Sequence, residues 1–275
     1  MFRSIMRGIA LSTALALVGA GAPVKAGSLS VEPLFVEIAP GQSGAVRVKN
    51  AADAPITVEL AVAERSVDAT GKQQRTAKDD DFVLFPPQGV IAPNTVRVFR
   101  FQTIAPAMDA SRSYFLTVRQ VPVELAPREG GGVQLQLIFA FDVAVHVVPI
   151  GARPTPQLIS AVIGQTTVSK VDASPQPPRT RQNRAEEQDI VPAVIVTLKN
   201  AGNKYLYLQD MSFEATATTA DGKKVSLPAW DINAIIDAAK VTLVQPGATR
   251  VLALPVRGFD HLKTVEVKLR LRGPG

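Results

Sequence analysis

Along most of the chain, apolar and polar residues alternate over short stretches, the period-two pattern of half-buried strands. Residues 29–39 (LSVEPLFVEIA), 45–50 (AVRVKN), 56–65 (ITVELAVAER), 82–87 (FVLFPP), 95–103 (TVRVFRFQT), 113–124 (SYFLTVRQVPVE) and a long run to residue 149 each predict a strand. Turn signals such as PGQSG (40–44) and AADAP (51–55) separate them. That makes about seven strands in roughly 120 residues, the count of an immunoglobulin-like sandwich. The polar run SVDATGKQQRTAKDDD (66–81) has no residues to spare for a core and adds no strand to this count.

IGARPTPQ (150–157), with Pro149 just before it, reads as a linker, because closely spaced prolines stiffen the chain and end strand pairing. A second series of strands follows at 158–164, 193–200, 204–218, 223–228, 240–245, 249–256 and 264–272. DINAIIDAA (231–239) is the one stretch here with a short-helix pattern. VRVKNAADAP in the first half is echoed by VTLKNAGNKY in the second, each an alternating strand ending in Lys-Asn before small residues. The expectation is an all-β chain of two immunoglobulin-like sandwiches, 27–149 and 150–275. Residues 172–189 (DASPQPPRTRQNRAEEQD) are rich in proline and charge, cannot offset their chain entropy by burial, and are expected to form a mobile loop.

The run GGGVQLQLIFAFDVAVHVVP (130–149) poses a problem. It is longer than the usual five or six residues of a strand. An apolar strand left at a sheet edge invites pairing with another chain, a hazard that proteins normally suppress. Val133, Leu135, Leu137 and Phe139, with Phe141 continuing the series, fall at alternate positions and share one face of an extended strand. That face either packs inside the protein's own sandwich or is offered to a partner.

The first 26 residues carry Arg3 and Arg7, an apolar run from Ile9 to Val18, and small residues ending in Val24-Lys25-Ala26. This is the layout of a secretory signal peptide cleaved after Ala26. The apolar run is shorter than the ~20 residues of a membrane span, so no stable membrane insertion is expected. Setting the leader aside leaves 27 basic against 24 acidic residues, and the net charge falls from +6 to +3. So small and scattered a surplus does not suggest a nucleic-acid partner. With no cysteine, the exported protein relies on its cores, and thiolate metal sites are excluded. Only His146 and His261 are present, the first reading as a packed or edge strand residue and the second as a loop residue. No nucleophile elbow, zinc-protease, P-loop or dinucleotide motif occurs, so neither an enzyme nor a cofactor is expected.

Four stretches, in this order, give the chain its resemblance to the periplasmic pilus chaperones of chaperone–usher secretion. DFVLFPPQGVIAPNTVRVFRFQ (81–102) resembles that family's proline-ended strand, turn and basic strand; SRSYFLTVRQVP (111–122) resembles its F strand with an aliphatic-proline step. GVQLQLIFAFDVAVHVVP (132–149) resembles the following G strand, and LKNAGNKYLYLQDMSF (198–213) the opening of the second domain. The resemblance implies two sandwiches in a boomerang arrangement, a periplasmic location, and donor-strand complementation. In that mode the G strand fills the groove of an incomplete pilus or fimbrial subunit, which is then delivered to an outer-membrane usher. It gives Val133, Leu135, Leu137, Phe139 and Phe141 the role of subunit-binding side chains. One departure stands out. The family places an arginine near the first strand and a lysine near the end of the G strand to hold the subunit's terminal carboxylate. Here Leu34 or Phe35 and Asp142, Val143 or Ala144 occupy those places, leaving Arg112 or Arg119 as conceivable substitutes. The alternative reading is an exported structural or adhesive protein that reuses the same two sandwiches, since a fold does not fix a function; an exported hydrolase ranks below both.

Overall fold

A computed structural model of the chain describes residues 29–104, 108–122, 137–169, 188–259 and 261–272. Among the described residues, ten strands build the first half: β1 (Leu29–Glu32), β2 (Phe35–Ile38), β3 (Ser43–Asn50), β4 (Ile56–Val67), β5 (Gln73–Ala77), β6 (Phe82–Phe85), β7 (Gln88–Ile91), β8 (Val96–Thr103), β9 (Arg112–Gln120) and β10 (Ala140–Val147). One sheet has the order β1-β3-β8-β6 and the other β2-β10-β9-β4-β5, with β7 also on β4. The alternation read from the sequence places one face of each strand inside. Val46 and Val48, Phe99 and Phe101, Tyr114 and Leu116, and Val143 and Val145 interlock between the sheets. Burying side chains of this size contributes about 1.5–3 kcal/mol each.

Several details differ from the sequence reading: β7 was not foreseen, and the stretch 204–218, read as one strand, is divided between two sheets as Leu206–Tyr207 and Met211–Thr219. The stretch 29–39 is not one strand. It breaks at Pro33-Leu34, so that β1 pairs antiparallel with β3 in one sheet while β2 pairs parallel with β10 in the other. A proline has no N–H for a ladder, and the chain changes sheets there. The polar run 66–81 is not without strand: β4 continues to Val67, turns, and pairs with β5. Of that hairpin's outer half only Val67 and the turn residue Gly71 are buried, which explains why its pattern carries no alternation.

The second half comprises β11 (Pro156–Ser169), β12 (Gln188–Asn200), β13 (Leu206–Tyr207), β14 (Met211–Thr219), β15 (Lys224–Ser226), α1 (Ile232–Ala239), β16 (Leu243–Val244), β17 (Thr249–Pro255) and β18 (Leu262–Leu271). Its sheets are β11-β12-β17, β15-β14-β18 and the short pair β13-β16. They enclose a core of Val194, Val196, Leu198, Phe213, Leu252 and Leu254, closed by Trp230 and α1. Asp231 caps that helix, accepting from Ala234 N at 2.7 Å. The expected loop 172–189 lies outside the described residues except for Gln188 and Asp189, which belong to β12. Among the described residues no helix is long and apolar enough to cross a membrane.

The echo between the halves is structural. Asn50 and Asn200, both fully buried, end β3 and β12. Asn50 donates Nδ2 to Ala54 O (2.8 Å) and Ile91 O (3.0 Å) while Oδ1 accepts from Ala52 N (2.9 Å). Asn200 donates Nδ2 to Lys204 O (2.7 Å) and Val244 O (3.3 Å) while Oδ1 accepts from Gly202 N (3.2 Å). In each case one carboxamide closes the same five-residue turn and ties it to a neighbouring strand end.

The two sandwiches share a joint with its own small core, Val67, Val148, Tyr205 and Leu243. His146 lies in it, stacked on Tyr205 with ring centroids 3.9 Å apart. Ser111 N donates to Asn203 O (2.8 Å), and Tyr205 N donates to Ser111 Oγ (2.8 Å).

Candidate functional site

Among the described residues, β10 is covered along only part of its outer side. Its inner side pairs with β9 over its whole length, Ala140 opposite Arg119 through Val147 opposite Arg112. On the other side β2 pairs only with Ala144–Val147, and Ala144 N donates to Leu34 O at 2.9 Å. Backbone groups two residues apart point the same way along a strand. The N–H and C=O groups of Ala140 and Asp142 therefore point to the side beyond the reach of β2, where no described strand lies. The chain leads into this open segment through Leu137 and Ile138, 53% and 49% exposed.

The side chains of β10 divide by parity. Val143, Val145 and Val147 are buried in the first core, and Phe139 and Phe141 pack partly buried against it. Leu137 has the same parity but is exposed beyond the core. Val133 and Leu135 lie outside the described residues. Of the five sequence-assigned residues, the structure thus brings Leu137, Phe139 and Phe141 together along the open end of β10. Phe139 and Phe141 pack against the protein's own sandwich, while Leu137 stands clear of it.

The opposite parity, Asp142, Ala144 and His146, lies on the outer face of the sheet beside Thr117 and Phe115 of β9. Asp142 accepts from Arg75 Nη2 (2.7 Å) and from Thr117 Oγ1 (2.7 Å). Burial pushes its carboxyl up, but the hydrogen bonds from Arg75 and Thr117 and the charges of Arg75 and Arg65 outweigh it and hold it below the usual carboxylate range. Arg65 and Arg75, opposite one another on β4 and β5, both stack on Phe115, at 4.7 and 4.3 Å from the ring centroid. Phe35 and Leu34 are exposed, and the Phe35 ring lies 5.3 Å from His146. Positive charge on this face therefore comes from Arg75, paired with Asp142, from Arg65 towards the joint, and from Arg119 opposite Ala140. Of the two candidate substitutes, Arg119 is paired with Glu59, and Arg112 stands at the far end of β9 by Tyr114. Arg75 was invisible in the sequence because the strand that carries it has no apolar pattern.

His146 sits where this face meets the second sandwich. Nδ1 is 2.9 Å from Ser113 Oγ and Nε2 is 2.8 Å from Tyr207 OH. Burial, with the nearby charge of Arg65 adding to it, pushes its pKa down to about 4. The imidazole is therefore neutral at pH 7. Glu37 of β2 receives Lys204 Nζ (2.8 Å) and Tyr205 OH (2.7 Å). Burial raises its carboxyl, and these two bonds reverse the effect, leaving it lowered overall.

Residues 31–152 match the sequence model of the pili and flagellar-assembly chaperone, PapD N-terminal domain. Among solved structures, the class 5 fimbriae chaperone CfaA is similar at 10% identity over 89% of this chain and 99% of that one, with a TM-score of 0.51. The E. coli chaperone DraB is 15% identical over 83% of this chain and 87% of that one, TM-score 0.45. The Salmonella enterica SafB chaperone, solved in complex with the SafA pilin, is 15% identical over 88% and 96%, TM-score 0.46. At these identities the likeness concerns the fold, and only the first score is high enough to carry it. No curated protein matches the sequence. The fold is that of two-domain, all-β, PapD-like proteins. Within it, the first sandwich matches the N-terminal domain of the pili and flagellar-assembly chaperones.

Proposed function

We propose that the protein is a periplasmic chaperone that binds and stabilises pilus or fimbrial subunits by donor-strand complementation and hands them to an outer-membrane usher. The observation that supports this best is the half-covered edge of β10. Among the described residues no strand covers its backbone beside Ala140 and Asp142, next to the exposed Leu137, in a sandwich that matches the pilus-chaperone N-terminal domain. An extended subunit segment added there gains main-chain hydrogen bonds from the edge, while alternate side chains supply specificity. Val133, Leu135, Leu137, Phe139 and Phe141 are the proposed subunit-facing series. In this reading the edge remains open because pairing is its task.

Leu137→Asp tests the assignment. Leu137 is exposed, so the variant folds, and its circular dichroism and thermal midpoint match the parent. In co-expression with pilin-like subunits, capture is lost, because a carboxylate is forced into an apolar groove without a partner. A folded Leu137→Asp protein that still retains its subunit overturns the donor-strand reading. If no subunit accompanies even the parent from the periplasm, the structural or adhesive reading takes its place.

A further inference from the structure

The turn between β4 and β5, Asp68 to Lys72, is rigid in its own right. Asp68 Oδ1 accepts from Thr70 N (2.9 Å), Thr70 Oγ1 (2.7 Å) and Lys72 N (3.0 Å). Gly71 N donates to Asp68 O at 3.1 Å. Although it belongs to the first sandwich, this turn is seated in the second. Val251 N of β17 donates to Ala69 O at 2.8 Å. Gly71 has φ 89°, and a Cβ there would lie 2.5 Å from Ala239 O and 2.7 Å from Arg250 Nη2, so no side chain fits.

The floor of that seat is itself fixed. Arg250 is 0% exposed and donates Nη1 to Val241 O (2.6 Å) and Leu243 O (2.8 Å), and Nη2 to Ala239 O (2.8 Å). It thereby ties the C-terminal end of α1 to the approach of β16. At the root of the hairpin, Gln245 bonds in both directions across the joint. Oε1 accepts from Val67 N (3.0 Å), and Nε2 donates to Arg65 O (2.6 Å). Val67 and Leu243 fill the space between these bonds. The residue whose carbonyl Gln245 holds is the same Arg65 that stacks on Phe115 beside Arg75 and Asp142.

We propose that the β4–β5 turn is a keyed strut: seated against Ala239, Arg250 and Val251, it fixes the orientation of the two sandwiches and holds Arg65 by Phe115 and Tyr207, where the outer face of the first sandwich meets the joint. Gly71 is the key, and Gln245 is a positioning residue. The strut stands on the geometry of the joint and is independent of the chaperone reading, so its test contains no subunit.

The chain has no cysteine, so Lys49→Cys on the first sandwich and Lys268→Cys on the second give a unique pair of exposed spin-label sites. Pulsed dipolar spectroscopy then reads the distance between the sandwiches. The parent gives one narrow distribution. Gly71→Val broadens it and shifts its mean, with unchanged far-ultraviolet circular dichroism. Gly41→Val is the control: that glycine also has positive φ (78°) but nothing within 4 Å of its Cβ position, so its distribution stays that of the parent. If folded Gly71→Val keeps the parent distribution, or broadens no more than Gly41→Val, the strut is refuted. If Gly71→Val does not fold, Gln245→Ala decides: broadening supports the strut, and an unchanged distribution refutes it.

Discussion

The imidazole of His146 is closed off from water by Tyr205, Tyr207, Ser113 and Phe35, with Glu37, Arg65 and Lys204 as the charged groups around it. Its folded pKa of about 4 lies below the ordinary 6.5, so between those values the unfolded chain binds the extra proton. Stability therefore falls as pH drops through this window, by at most about 3 kcal/mol for this group. Carboxylates titrate nearby, so the contrast with His146→Gln isolates the effect. The parent is expected to lose more of its thermal midpoint between pH 7 and pH 4 than the variant does; parallel curves would show that His146 does not carry it. The sequence showed a histidine inside an apolar strand and no more. Its stacking and hydrogen-bonding tyrosines lie about sixty residues further on, and nothing local announces them.

The turns that end β3 and β12 depend on carboxamides rather than on apolar burial. Asp in place of Asn50 or Asn200 cannot donate, and it would bring a carboxylate to two carbonyl oxygens. Leaving such groups buried and unpaired costs about 1–3 kcal/mol each. Asn50→Asp and Asn200→Asp are expected to lower the urea midpoint by an amount corresponding to about 3 kcal/mol or more. A loss within a few tenths would mean that water replaces the bonds. These turns were the most legible elements in the sequence, because Lys-Asn before small residues recurs in both halves. Strands with alternating burial, such as β3 and β8, were equally readable. β5 was not, since nearly all its side chains face water and it owes its place to pairing with β4. The split of 29–39 between two sheets was hidden for a related reason. Both parts keep an apolar alternation, and only long-range pairing with β3 and β10 reveals the change of partner. Arg65 and Arg75 meet over Phe115 through that same unpatterned hairpin.

At the scale of the molecule, the joint couples two cores that each have their own apolar filling. One merged calorimetric transition is expected for the parent. Tyr205→Ala removes the ring under His146 and the hydroxyl that reaches Glu37, and is expected to divide that transition into two, one per sandwich. A single transition in that variant would mean that the coupling lies elsewhere. The half-cover of β10 by β2 has a consequence of another kind. A strand laid along the open side meets a blind end where Leu34 already bonds Ala144, and it cannot advance past that point. The edge is thus a ruler with a fixed zero. It sets where an added strand must stop, and because slipping by one residue turns every side chain to the other face, it also sets which side chains point inward. In the proposed donor-strand mode, the start of β2 thus bounds the register of the incoming segment from one end.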